Sequence, residues 1–155
     1  MSDPILHPET LAAHAASHPD PLNGAIIPPL YLSTTYERDA DLSYSRGRCY
    51  ARADNPSYDA AIATLNGLEG GVDTLLFASG MAAATAVFQA LAPGDHVVVS
   101  KVMYWALRAW LNGNATRWGL DVTFADTSNL DAVHAVLRPG RTRLLWVETP
   151  ANPLW

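Results

Sequence analysis

LLFASGMAAATAVFQALAPGDHVVVS, residues 75–100, decides the fold of this 155-residue chain. A short apolar run at 75–78 has the character of a buried strand and breaks at Ser79-Gly80. A small-residue helix pattern follows over 81–91, Pro93-Gly94-Asp95 makes a turn, and a second strand starts at His96. A strand that feeds a helix through Ser-Gly leaves unpaired backbone N–H groups at the helix mouth. The helix dipole adds partial positive charge there, so the spot suits a phosphate.

The pattern continues on both sides of this stretch. Upstream, residues 56–68 read as a helix stopped by Gly70-Gly71, and 72–78 as a strand. Downstream, the spacing predicts a helix over 103–111, a strand over 120–125, a helix from a Ser128 cap to Leu137, and a last strand over 142–148. The strands are near-continuous apolar runs, as in a sheet covered on both faces. Strands alternating with helices of this length imply βαβ units and a mostly parallel sheet, an α/β fold.

Residues 1–56 have a different texture, rich in Pro, Asp, Ser and Tyr. A short helix is predicted over 8–17, with Pro8 near its first position and Pro19 beyond its end. Residues 26–36 contain Pro28-Pro29 and read as an extended arm. The polar loop over 37–55 is long for a compact domain, which marks it as functional or as ordered by a partner. The domain reading is therefore an arm and loop over 1–56 and the α/β domain over 57–155. The chain stops on a strand exit and a turn, which suggests the front part of something longer.

Composition narrows the function classes. Hydrophobic residues make up 49% and charged residues 16%, which excludes a disordered tail and favours a layered interior. A net charge of -5 with scattered basic residues argues against a nucleic-acid surface. Cys49 is the single cysteine, so no disulfide can form within the chain, which fits a reducing cytoplasm. There is no apolar run of membrane-spanning length and no signal-peptide pattern, so no membrane partner is expected.

Ligands of open α/β sheets sit beyond the carboxyl ends of the strands. Ser79-Gly80, Tyr104 and Asn152 all fall at or just past predicted strand ends on that edge. Taken singly, each has a plainer reading. Ser79-Gly80 can be a tight turn, Tyr104 a core residue in an aromatic cluster with Trp105 and Trp110, and Asn152 a turn residue before Pro153. Tyr50 and Arg52 can be a solvated loop pair. Glu148 receives no catalytic role, His96 reads as structural, and Cys49 as a small buried filler. His14 and His18 have metal-ligand spacing but no third ligand, so no metal is expected. Lys101, at a strand end, reads as a solvated charge.

Six pieces in order carry a resemblance. They are Pro29-Leu30-Tyr31 with Ser33-Thr34-Thr35-Tyr36; YARADNPS from Tyr50; LEGG from Leu68; FASGMAA from Phe77; APGDHVV from Ala92; and ETPANP from Glu148. Together they resemble the Cys/Met-metabolism family of pyridoxal-phosphate enzymes, which includes cystathionine γ-synthase, cystathionine β- and γ-lyases and methionine γ-lyase. The resemblance covers nearly the whole chain. It implies the type I, aspartate-aminotransferase-like fold, with an N-terminal arm and the first part of the large-domain sheet.

The resemblance also implies roles. Gly80 and Met81 resemble the backbone cradle of the pyridoxal 5'-phosphate phosphate group. Tyr50 and Arg52 resemble a Tyr-x-Arg pair that reaches a neighbouring subunit's phosphate, which implies at least a homodimer, or a homotetramer. Arginine offers a rigid fork to a dianion and tyrosine adds one donor. Tyr104 resembles the tyrosine stacked on the cofactor ring, able to shuttle protons, and Asn152 an asparagine near the ring oxygen and the substrate carboxylate. The implied activity is elimination or replacement at Cβ or Cγ of sulfur amino acids. Two departures stand out. Trp105 occupies a position where the family favours a small residue. The family's cofactor-holding lysine motif is absent, since Lys101 is the sole lysine and lies outside such a motif. A catalytically inactive fragment or assembly piece is the alternative. A dinucleotide-binding reading fails for want of a G-x-G-x-x-G.

Overall fold

The computed structural model describes residues 7–14, 19–20 and 22–152. Two compact units meet in sequence between Leu76 and Phe77.

The first unit is built on two helices. Helix α1 spans Pro8–His14; the rest of the segment predicted to be helical lies outside the described residues. A single 3-10 turn, Pro56–Tyr58, leads into α2, Asp59–Glu69. Asn55 starts the turn by accepting the Ser57 amide at 2.8 Å. Gly70 ends α2 in the left-handed region at φ 63°, the role the sequence assigns it. Gly67 makes room for α1, because a Cβ there would stand 2.8 Å from a Leu11 methyl.

The long loop supplies its own order. An antiparallel bridge joins Thr35 to Tyr50, and the Ala51 amide donates to the Thr34 carbonyl at 3.0 Å. Asp39 accepts from the Ser45 amide at 2.6 Å and from its hydroxyl at 2.9 Å. Arg48 pairs with Asp54 and, at 2.6 Å, with Asp59 at the head of α2. Cys49 is exposed and not a buried filler, because the bridge at Tyr50 keeps this stretch on the surface.

Residues 72–78 do not form the predicted strand. Their backbone joins no ladder, and Leu75 and Phe77 are exposed. The run is apolar enough, but a strand is defined by a neighbour that takes its N–H and C=O groups. No described residue serves as that neighbour.

The second unit is a three-stranded parallel sheet in the order β2-β1-β3, with β1 His96–Ser100, β2 Asp121–Ala125 and β3 Thr142–Trp146. Helix α3 (Gly80–Gln89) precedes β1; α4 (Trp105–Trp110) opens the first crossover and α6 (Leu130–Val136) forms the second. All five residues of β1 are buried, as the run HVVVS predicts for a central strand. β3 departs from the two-sided expectation, since Arg143 and Leu145 are exposed and alternate with half-buried neighbours. The core joins Phe88 of α3 to Val97 and Val99 of β1 and to Leu107 and Leu111. The Phe88 ring packs on Trp146 at 5.3 Å and on Trp110 at 6.1 Å. Trp110 thus belongs to the Phe88 cluster, while Trp105 stays by Tyr104 at 5.9 Å.

Two element ends differ from expectation. The helix predicted to stop at Leu111 runs on through a wide π turn, Leu111–Ala115, and a last helical turn, α5, Thr116–Trp118. The cap of α6 is Asn129 and not Ser128. The Asn129 side chain accepts the Asp131 and Ala132 amides, while Ser128 bonds back to Asp126. His96 is fully buried and structural, as predicted. Its ring bridges all three strands, with Nδ1 2.8 Å from Thr142 Oγ1 and Nε2 2.9 Å from Thr123 Oγ1.

Candidate active site

The carboxyl ends of β1 and β3 open on one cavity of about 680 Å³. That size suits a drug-sized ligand or cofactor. Its walls come from three segments: Gly80 and Met81 at the start of α3, Tyr104 just before α4, and Glu148 and Asn152 beyond β3. Ala84, Leu107 and Trp146 supply apolar lining.

The first wall follows from local sequence. Ser79 is extended at φ -160°, ψ 157°, and its hydroxyl accepts the Ala82 amide at 3.1 Å. This cap stabilises α3 by about 1 kcal/mol. It also occupies Ala82, so that Gly80 and Met81 are left with amides that no turn of α3 can satisfy. A Cβ added at Gly80 would meet nothing within 4 Å, so the space at the helix mouth is open. The run of alanines behind it lets the helix lie close to the core, where Ala84 is buried.

The second wall is held from the third. Tyr104 is the residue that starts α4, and its side chain makes no capping bond. Its backbone N–H instead donates to Glu148 Oε2 at 3.0 Å, across 44 residues of sequence. Met103, on the other side, is buried in the core. The Tyr104 main chain is thus held by Glu148 and flanked by buried Met103 on one side, while Trp105 on the other stands 68% exposed.

Of the six residues singled out for a cofactor, four line this cavity: Gly80, Met81, Tyr104 and Asn152. Tyr50 and Arg52 lie in the first unit and meet each other there. The Arg52 guanidinium carbon stands 5.1 Å from the Tyr50 ring centre, and Nη2 lies 3.5 Å from the phenol oxygen. Lys101 is exposed and is not among the lining residues. No group of three or more metal-ligating side chains occurs among the described residues. Glu148 is the residue that sequence reasoning left without a role. The available signal was an acidic side chain leaving an otherwise apolar strand on the ligand edge of the sheet.

An open helix mouth, a tyrosine and an asparagine thus share one cavity on one edge of a parallel sheet in an α/β scaffold. The chain belongs to the Cys/Met metabolism PLP-dependent enzyme family, whose model matches residues 9–155. It is 43% identical over 151 residues to cystathionine gamma-synthase of Mycobacterium tuberculosis, covering 97% of this chain and 39% of that protein. It is 36% identical to cystathionine beta-lyase of Coxiella burnetii, covering 95% of this chain and 38% of that one. The fold matches the crystal structure of metB from Corynebacterium glutamicum with a TM-score of 0.88 at 37% identity, over 96% of this chain and 38% of that one. The chain thus has the α/β, type I fold expected from the sequence. It spans less than two fifths of the length of each of these relatives.

Proposed function

We propose that this chain forms the phosphate-anchoring and ring-contacting part of a pyridoxal 5'-phosphate site, in an enzyme that eliminates or replaces groups at Cβ or Cγ of sulfur amino acids. The observation that carries the reading is the single cavity shared by the α3 mouth, Tyr104 and Asn152. The residues fit the cofactor. Two uncommitted amides and an open Gly80 suit a phosphate, an aromatic side chain suits a pyridine ring, and the volume suits both. When bound, pyridoxal phosphate supplies an electron sink for charge at the substrate Cα. The chain's share is to orient and to move protons. Gly80 and Met81 hold the dianion, Tyr104 covers the ring and carries protons at its phenol oxygen, and Asn152 accepts or donates at the substrate end. Transsulfuration or methionine metabolism is the setting that the relatives' names support.

Tyr50 and Arg52 are assigned to a neighbouring copy's phosphate. Residues 1–56 then act as the arm that joins a homodimer or homotetramer, and 57–155 as the first part of the cofactor domain. The arm carries exposed Leu22, Ile27, Leu30 and Leu32, apolar surface suited to burial against a second chain. The reading needs neither nucleic acid nor membrane. No helix of the described residues is long and apolar enough to cross a bilayer. A cytoplasmic setting accords with the single cysteine. One observation favours a second reading, a piece that does not catalyse alone: the sole lysine, Lys101, is outside the cavity.

Gly80→Asp tests the anion site. The new side chain has space, and an acid in the first turn suits α3, so the fold stands. It places a carboxylate where the phosphate belongs. Retention of pyridoxal phosphate through dialysis, read by cofactor absorbance, falls at least about tenfold. Arg52→Ala weakens retention as well if the neighbour's arm serves the site. Wild-type retention in Gly80→Asp refutes the assignment.

A further inference from the structure

Helix α4 begins at a residue that cannot cap it. A tyrosine side chain has no means of returning to its own first turn, and Tyr104 makes no such bond. Yet the segment before the helix is the one that must present Tyr104 to the cavity. The group that fixes it comes from another element. Glu148 lies two residues beyond β3, half-buried in the cavity wall, and its Oε2 accepts the Tyr104 N–H at 3.0 Å. A side-chain oxygen at that distance satisfies a backbone donor that the first turn of the helix leaves open.

We propose that Glu148 is the positioning residue for Tyr104, tying the exit of β3 to the start of α4 so that the tyrosine side chain is held in the cavity. The inference rests on the cofactor reading above. Its geometric content is that reach matters more than charge. The acceptor oxygen must sit 3.0 Å from a backbone nitrogen that is itself anchored by buried Met103. Without it, Tyr104 keeps on its main chain the bond from the Arg108 N–H to its carbonyl at 3.1 Å but loses the one on its amide, and Trp105, exposed, offers no opposing grip.

Three substitutions in the full protein separate the possibilities, with pyridoxal 5'-phosphate as the probe. Glu148→Gln keeps the reach and an acceptor oxygen but loses the charge. Glu148→Asp keeps the charge and loses one methylene of reach. Glu148→Ala loses both. The readouts are the dissociation constant for the cofactor and the induced circular dichroism of its visible band, alongside the melting temperature. Glu148→Gln stays within about twofold of wild type in affinity, while Glu148→Asp and Glu148→Ala weaken about five- to tenfold and lose most of the dichroism. If Glu148→Ala does not fold, the Gln and Asp pair still decides.

Wild-type affinity and dichroism in Glu148→Asp, with or without a lower melting temperature, overturn the inference and leave a helix cap only. The reverse order, Asp intact and Gln impaired, also overturns it, by showing that the charge is what acts. Failure of the wild-type protein to bind the cofactor refutes the functional reading itself, and the inference falls with it.

Discussion

His96→Ala should be the most damaging single change within the sheet. The ring is fully buried in the central strand and is hydrogen-bonded on both nitrogens, to Thr142 at 2.8 Å and Thr123 at 2.9 Å. Removing it deletes two bonds worth about 1 kcal/mol each and leaves the Thr123 hydroxyl without its ring partner, while Thr142 keeps the Arg138 amide at 2.8 Å. The cavity left by the ring adds roughly 1–2 kcal/mol. The sum is a loss of about 3–4 kcal/mol, read as a fall in the urea midpoint at unchanged slope. The same ring predicts a pH dependence. Burial, and after it the charge of Arg138, pushes His96 below its ordinary value, with Asp121 opposing. The neutral form is therefore the folded form. Its contribution is fully present above the unfolded value of about 6.5 and is lost as pH falls from there toward the lower folded value. The slope in that window is at most about 1.4 kcal/mol per pH unit for one proton. Urea titrations of wild type and of His96→Gln between pH 5 and 7.5, ranges chosen around the value of about 6.5, isolate it by difference. A His96→Ala loss under about 1 kcal/mol, or equal pH slopes in wild type and His96→Gln, would refute the bridging role.

Phe88→Ala removes a fully buried ring that touches both Trp110 and Trp146, and should cost about 3–5 kcal/mol in denaturant unfolding. Arg48→Ala breaks two partly exposed ion pairs, so its stability effect stays within about 1 kcal/mol. The loop around Tyr50 should nonetheless become the first site of limited proteolysis, visible by mass spectrometry.

Several elements of both units were readable from residue patterns because their signals are local. The run HVVVS gives a buried central strand, Gly70 an αL stop, and Ser79-Gly80 an open helix mouth. Placing Gly80, Tyr104 and Asn152 on one edge needed only the rule that parallel strands share a carboxyl end. What stayed hidden depends on partners. Residues 72–78 have the composition of a strand, but composition does not supply a neighbour. Glu148 finds Tyr104 through 44 residues of intervening chain, and no spacing rule encodes that contact. Asn129 outcompeted Ser128 as a cap because Asp126 had already claimed the serine. The loop over 37–55 looked irregular because its order comes from side-chain bonds such as Asp39 to Ser45.

The wide turn at Leu111–Ala115 has a consequence for length variation. Leu107, Leu111 and Ala115 recur every four residues and are all buried. In an ordinary helix such a row drifts by about 40° at each step. The broader turn takes that drift back, and the Thr116 hydroxyl donates to the Leu111 carbonyl at 2.9 Å, five residues earlier. The segment therefore behaves as a phase adjuster built from one spare residue. Deleting Gly113 or Asn114 would tighten the coil, swing Ala115 off the seam, and misalign the entry to the next strand. Substitutions at those two exposed or half-exposed sites should be far better tolerated than any change in their number.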